Sequence, residues 1–252
     1  MAVTAVVLAA GRGIRMGGGE HKSLVPLDGR EPLLHYILAG LHRVGIVSLL
    51  VVTGWRHDDV AAYVTERWKG EVQFARNPRY ASWGNFHSLR VAIDQSPADA
   101  LLVVNCDVVV NPDVYGRVRD TDGELVLAVE RRLRLDDEDM RVRLQGNQVK
   151  AIGKDLPRAH GHGEFCGVSY LRSEAKRAYS DIASAVEWQG RTNIYYEDVY
   201  AEILNVVDAR AAFVEAGEYA EVDEPGDVPG ALRVIERFAP VREEQQTAEI
   251  SE

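Results

Sequence analysis

Residues 11–22 carry the side chains and backbone best suited to chemistry. Five glycines, Gly11, Gly13, Gly17, Gly18 and Gly19, are interleaved there with Arg12, Arg15 and Lys22. Glycine lets backbone N–H groups converge on a ligand with no Cβ in the way, and such a concavity binds anions. Cations in the same loop add charge-assisted contacts. As plain structure the stretch is a tight turn with solvated charges; as chemistry it is a polyphosphate cradle, and the density of glycine and cation favours the cradle. A P-loop is excluded, because GxxxxGK[ST] needs glycine where Met16 and His21 stand. A dinucleotide fingerprint is excluded too: Met16 replaces its third glycine, and the next strand, ending Val52-Thr53-Gly54, lacks the acidic residue that would hold a ribose.

A second candidate is Asp107, which follows the apolar run Leu101–Val104. A carboxylate at the carboxyl end of such a strand faces the same crevice as the loop. Mg²⁺, the companion of a nucleoside triphosphate, prefers one or two carboxylates plus phosphate oxygens. The plain alternative is an exposed strand-end aspartate.

These groups need a scaffold, and the flanking pattern describes one. Val3–Leu8 is a β-branched apolar run of the kind buried in a parallel sheet. Helical spacing over Leu33–Val44 ends at Gly45, Val47–Thr53 is a second strand, and Asp58–Lys69 an amphipathic helix. A strand over Val72–Ala75, a polar loop from Asn77 to Asn85, and a helix over Phe86–Asp94 lead into the strand before Asp107. This alternation predicts a parallel sheet with right-handed crossovers and ligands at the strands' carboxyl ends. From about residue 125 the pattern changes to strands over Leu125–Glu130, Arg141–Leu144, Gln148–Ile152 and Phe165–Leu171, with a hairpin turn at Gly146-Asn147. This half is expected to be antiparallel or mixed and to fold over the sheet as an acceptor-binding part. Helices follow over 173–188 and 196–206, a strand over Ala212–Glu215 and a helix over 225–238. Residues 1–239 thus read as a single domain. The Glu-containing tail 240–252 has no apolar periodicity and is expected to be disordered.

The 252 residues are 46% hydrophobic and 27% charged, ordinary for a soluble globular chain with a sizeable core. A net charge of −10 argues against a nucleic-acid surface. Cys106 and Cys166 lack metal-ligand spacing and sit in apolar contexts, so they read as buried thiols of a reducing compartment. With no basic leader and no apolar run of membrane length, the expected location is cytoplasmic, with no membrane partner.

Leu8-Ala9-Ala10-Gly11-x-Gly13-x-Arg15, then Lys22, Leu24-Val25-Pro26-Leu27 and Pro32-Leu33-Leu34, resembles the signature of the nucleotidyltransferases that make NDP-sugars, CDP-alcohols and related compounds. The resemblance implies an α/β, Rossmann-like three-layer, GT-A-like nucleotidyltransferase fold with a mixed central sheet. It implies nucleotide binding by Leu8, Ala9, Ala10, Gly11 and Gly13, with Arg15 and Lys22 on the triphosphate. Asp223, in Val222-Asp223-Glu224-Pro225-Gly226-Asp227, matches the aspartate that completes the relatives' Mg²⁺ site beside Asp107; Asp227 competes as a helix cap. Asn77, Tyr80, Asn85 and Ser88 match segments lining the base and ribose pocket, against the alternative of a turn and a capped helix. Lys154 matches a lysine that reaches the acceptor's phosphate, against a plain surface lysine.

Asp136–Val142, Gly153-Lys154-Asp155 and Tyr195-Tyr196-Glu197-Asp198 resemble the branch of cytidylyltransferases acting on phosphocholine, phosphonates and inositol phosphate. Arg141 stands where relatives often carry lysine, so that residue's role is not carried over. Tyr195, Tyr196, Glu197 and Asp198 could hold the cationic head of an acceptor, or simply start a helix with acids favoured by its dipole. The run 136–139 is expected to be a solvated hairpin approach. The expected partners are CTP and a small phosphorylated or phosphonate acceptor; relatives are often dimers, although no apolar stripe here marks an interface. Two alternatives stay open: a sugar-1-phosphate nucleotidyltransferase using UTP, GTP or dTTP, and a non-catalytic nucleotide-binding regulator.

Overall fold

The computed structural model describes residues 3–13 and 19–238. Arg15, Gly17, Gly18 and the tail 240–252 lie outside the described residues. In chain order the elements are β1 (Val3–Ala9), α1 (Leu33–Arg43), β2 (Ser48–Thr53), α2 (His57–Arg67), β3 (Glu71–Arg76), α3 (Phe86–Gln95), β4 (Ala100–Asn105), β5 (Val108–Val110) and α4 (Asp113–Asp120). There follow β6 (Leu125–Arg131), β7 (Arg141–Gln145), β8 (Gln148–Gly153), β9 (Gly163–Leu171), α5 (Ser173–Trp188), α6 (Tyr196–Ile203), β10 (Ala209–Val214), β11 (Tyr219–Glu221) and α7 (Val228–Phe238).

Nine strands form one sheet in the order β3-β2-β1-β4-β9-β6-β10-β8-β7. β1 to β4 are parallel, β9 runs antiparallel between β4 and β6, and β10 lies parallel to β6. The second half therefore extends the sheet and does not fold over it. Its nine-residue strand β9 is buried throughout and lies between strands on both sides. β5 and β11 pair as a separate two-stranded ribbon. β5, α4 and β11 were not expected from the sequence: three-residue strands and an eight-residue helix are too short to show a period.

Alternation sorts β1 between two cores. Val6 and Leu8 face the side covered by α3, α5 and α6, whereas Ala5, Val7 and Ala9 face α1, α2 and α4. Each fully buried Val or Leu contributes roughly 1.5–3 kcal/mol. In α5, Ala175, Tyr179, Ala183 and Val186 recur at helical spacing on the buried face, which explains why its bounds were legible. α1 stops where Gly45 takes φ 78°, and Gly45 N–H donates to His42 O, as a left-handed cap does.

A third, smaller core joins Leu27 and Leu33 to Val109, Val222, Ala231, Val234 and Ile235. It docks α7 and the segment before it onto the chain just after Lys22. The cysteines Cys106 and Cys166 are free and buried, and the Cys106 thiol is pushed up to about 12, first by burial and then by Asp107. Among the described residues, no helix is long and apolar enough to cross a membrane.

Candidate active site

The chain crosses from β3 to β4 on the far side of β1, so the strand order reverses between β1 and β4. Ligands of open α/β sheets bind at such a crevice. A cavity of about 520 Å³ opens there, lined by Leu8, Ala10, Gly11, Arg12, Gly13, His21, Lys22, Asn85, Ser88, Asn105, Cys106, Asp107 and Asp223.

Lys22 is 7% exposed, in a single 3₁₀ turn over Lys22–Leu24. Its ammonium donates to Asp223 Oδ1 at 2.5 Å and to Asp107 Oδ2 at 3.3 Å. Burial opposes the lysine's charge, but the two carboxylates outweigh it and its pKa rises. His21 sets the turn: Nε2–H donates to Ala9 O at 3.0 Å, leaving Nδ1 to accept from the Ser23 hydroxyl at 2.9 Å. Burial lowers its pKa, so the ring stays neutral and keeps that tautomer. Gly13 lies against the same lysine at φ 53°, where an added Cβ would fall 2.4 Å from Lys22 Cβ. Gly13→Ala is expected to displace Lys22, to lower turnover at least about tenfold and to lower the melting temperature, because alanine is strained at this φ. Steady-state kinetics and a thermal melt check this.

Asp107 lies in the turn between β4 and β5, and Asp223 is brought beside it by the ribbon. Glu221 pairs with Val108, and Val222 N–H donates to Asp107 O at 2.8 Å. Val222 is fully buried in the third core, so its extended neighbours Glu221 and Asp223 point the other way. Carboxylate oxygens of Asp107, Glu221 and Asp223 lie within 4.8 Å of one another. Glu221 was missed as a partner; its signal was the i, i+2 spacing from Asp223. Its carboxyl is pushed up to about 7 by desolvation first, then by Asp107 and Asp223.

Asp107 Oδ1 is buried with no hydrogen-bond partner. An orphaned carboxylate oxygen among three acids is a hard-oxygen donor set, and it fits Mg²⁺.

The other sequence candidates divide. Asn85 and Ser88 line the cavity, and Asn85 Oδ1 accepts from Tyr196 N–H at 2.9 Å. Ala9 is fully buried, its carbonyl taken by His21. Asn77 is 1% exposed and occupied within the fold: its Oδ1 accepts from Arg79 N–H and His87, and its amide donates to Ser88. Tyr80 packs on Gly54 at the end of β2. Asp198 accepts from Tyr195 N–H and so caps α6. The Tyr195 ring carries the Lys154 ammonium at 5.6 Å, and Lys154 also donates to Glu138 at 3.2 Å. Tyr196 is buried and donates to Asn105 Oδ1 at 2.9 Å. Glu197 is 5% exposed, and its Oε2 has no hydrogen-bond partner.

The run 136–139 leads into β7 with Asp136, Asp137 and Glu138 exposed, as expected of a solvated approach, and it carries ion pairs as well. Asp137 pairs with Arg158, Glu138 with Lys154 and Asp139 with Arg132. Arg141, 5% exposed, spends its guanidinium on the carbonyls of Asp136, Asp137 and Leu156. A fork of five donors can serve three carbonyls at once, which a lysine cannot match geometrically.

The sequence profile of the MobA-like NTP transferase domain matches residues 5–160, more than half of the chain. The chain belongs to this family. Within it, the chain is 28% identical over 98% of its length to the CMP-5'-(3-aminopropyl)phosphonate synthase of Streptomyces rubellomurinus, covering 40% of that protein. It is 29% identical over 93% of its length to the bifunctional protein GlmU of Azorhizobium caulinodans, covering 52% of it. The chain thus spans about half or less of the length of these relatives. Among solved structures, the inositol-1-phosphate CTP transferase from T. maritima superposes with a TM-score of 0.78 at 20% identity, over 94% of this chain and 98% of that one. The CTP:phosphocholine cytidylyltransferase of Streptococcus pneumoniae gives 0.73 at 21% identity, over 91% and 97%. Both likenesses establish the α/β fold with its mixed sheet as the family's own.

Proposed function

We propose that the protein is a Mg²⁺-dependent cytidylyltransferase that joins CTP to a phosphorylated alcohol or a phosphonate and releases pyrophosphate. The observation that carries this reading is the Lys22 ammonium held between Asp107 and Asp223, at the switch point and beside the glycine-rich stretch. An acceptor phosph(on)ate oxygen bonds to the α-phosphorus as the α–β anhydride breaks, so no protein nucleophile is needed. Catalysis is positioning and charge stabilisation. Lys22 supplies a fixed positive charge for the departing pyrophosphate, and Arg12 and Arg15 are the loop cations for the triphosphate. Asp107, Asp223 and Glu221 would hold Mg²⁺, which when bound neutralises phosphate charge and draws the α-phosphorus toward attack. Asn85 and Ser88 would meet the base and ribose.

Cytidine is favoured by the relative whose name pairs CMP with an aminoalkylphosphonate. For an acceptor of that kind, Glu197 offers its carboxyl to an amine, and Lys154 is the cation for its phosphonate. A sugar-1-phosphate nucleotidyltransferase using UTP, GTP or dTTP is the second reading, supported by the likeness to GlmU over nearly the whole chain. Soluble substrates of either kind suit a cytoplasmic protein.

Pyrophosphate release should be measured with Mg²⁺ for four NTPs crossed with aminoalkylphosphonates, phosphocholine, inositol phosphate and hexose 1-phosphates. CTP with a phosphonate or alcohol phosphate is the expected pair. Release only with a hexose 1-phosphate and another NTP would transfer the assignment to the second reading. Tight NTP binding with no release across the panel would favour a regulator.

A further inference from the structure

We infer that Arg56, with Trp55, is a positioning residue that fixes the two flanks of the glycine-rich stretch and thereby sets the protein's grip on a triphosphate. Arg56 is one of two non-glycine residues with positive φ among those described, at φ 49° and ψ 42°. A left-handed arginine costs conformational energy, which a fold keeps only where other contacts hold it. Those contacts lead to the candidate site. Arg56 Nη1 donates to Gly19 O, at the exit of the glycine-rich stretch, while Nε donates to Asp59 Oδ2 on the first turn of α2. Trp55 N–H donates to Ala10 O at 3.1 Å, at the entry of the same stretch. The Trp55 ring stacks on His21, the residue that orders the Lys22 turn, with centroids 6.1 Å apart. The strap lies close because Gly54 precedes it: a Cβ there would fall 2.6 Å from Ala10 O.

Successive residues at the end of β2 therefore hold the entry, the exit and the lysine turn of a loop that lies in another segment of the chain. A loop that must present several N–H groups to one anion loses affinity when its ends drift, because each donor's aim is lost together. Arg56 stands outside the lining of the cavity, so its effect is expected on nucleotide affinity and not on the chemical step. This inference rests on the nucleotide-binding reading above.

Arg56→Gly separates the two roles the residue could have. Glycine adopts the left-handed conformation freely, so the start of α2 and the melting temperature should hold, while the tether to Gly19 is lost. The expected result is a rise of about tenfold in the Kd and KM for CTP·Mg²⁺, matching one charged hydrogen bond. CMP affinity should change less than about twofold and kcat less than about threefold. Asp59→Asn, which loosens only one anchor of the guanidinium, should weaken CTP binding in the same direction by less. A wild-type Kd for CTP in Arg56→Gly overturns the inference, as does an equal loss for CTP and CMP, which would mark a general defect. If the wild-type protein takes another NTP in preference, the cytidine reading falls and the comparison is made with that nucleotide and its monophosphate. If it binds no nucleotide, both readings fall.

Discussion

Lys22→Ala is expected to lower the maximal rate of pyrophosphate release by about 10³-fold, the scale set by removing one preorganised charge from a transition state. Among the described residues, Lys22 is a cation in direct contact with the carboxylates of the cavity, bonded to both Asp107 and Asp223. Its loss takes away the charge that would meet the leaving pyrophosphate. The protein should remain folded, because the two aspartates keep 27% of their side-chain surface in water and can be solvated or metal-bound once the lysine is gone. Asp107→Ala should match it in turnover and weaken Mg²⁺ as well. Kinetics at saturating nucleotide, circular dichroism and a thermal melt with and without Mg²⁺ make the check. A variant with more than a tenth of wild-type turnover would remove Lys22 from the chemistry.

Glu197→Gln should stabilise the protein at pH 8 and impair it as an enzyme. Burial pushes the Glu197 carboxyl from its ordinary 4.5 up to about 8, partly offset by hydrogen bonds to it, with Asp198 and Asp107 adding smaller upward contributions. The folded state therefore binds a proton that the unfolded chain has released, and stability falls as pH rises from about 4.5 to about 8. At pH 5 the carboxyl is neutral in the folded state and glutamine should be close to silent. At pH 8 glutamine should add on the order of a few kcal/mol, since each unit of displacement carries about 1.4 kcal/mol. Denaturant melts of both proteins at the two pH values test the sign: equal midpoints at pH 8 would show that the carboxyl is not held in an apolar setting. The same variant should raise the KM for a cationic acceptor several-fold and leave that for CTP unchanged. An uncompensated buried acid is a cost kept for function, and an uncharged acceptor would be indifferent to the change.

The parallel half was legible because each of its segments repeats one period long enough to read. Val3–Leu8, broken only by Thr4, and Leu101–Val104 are apolar runs, and the structure buries Ala5–Leu8 and Leu101–Val104 in the middle of the sheet. The glycine-and-cation stretch and Asp107 also carry local signals, and Gly11, Arg12, Gly13, Lys22 and Asp107 line one cavity. What could not be read depends on contacts between distant segments. Asp223 could be placed only by resemblance, because its position comes from a three-residue ribbon pairing Glu221 with Val108. Asn77 carries the composition of a base-binding amide, but whether its hydrogen bonds are spent internally depends on where the adjacent His87 and Ser88 fall in the first turn of α3. Arg141 stands where relatives often carry lysine, and only the path of residues 136–156 shows that its donors are used on backbone carbonyls.

The small third core has a consequence for how the molecule is made. Lys22 and Asp223 are separated by 201 positions, and Val222, which aims Asp223, is buried only when α7 has packed on Leu27 and Leu33. At ribosomal speeds of roughly 5–20 residues per second, the lysine emerges about ten to forty seconds before its partner. A nascent chain can thus assemble β1 to β4 and the glycine-rich crevice early, yet it holds no complete carboxylate group until the final helix leaves the exit tunnel. The last helix therefore works as a release step in synthesis, and a message cut short before it yields a sheet with an open crevice and no finished site.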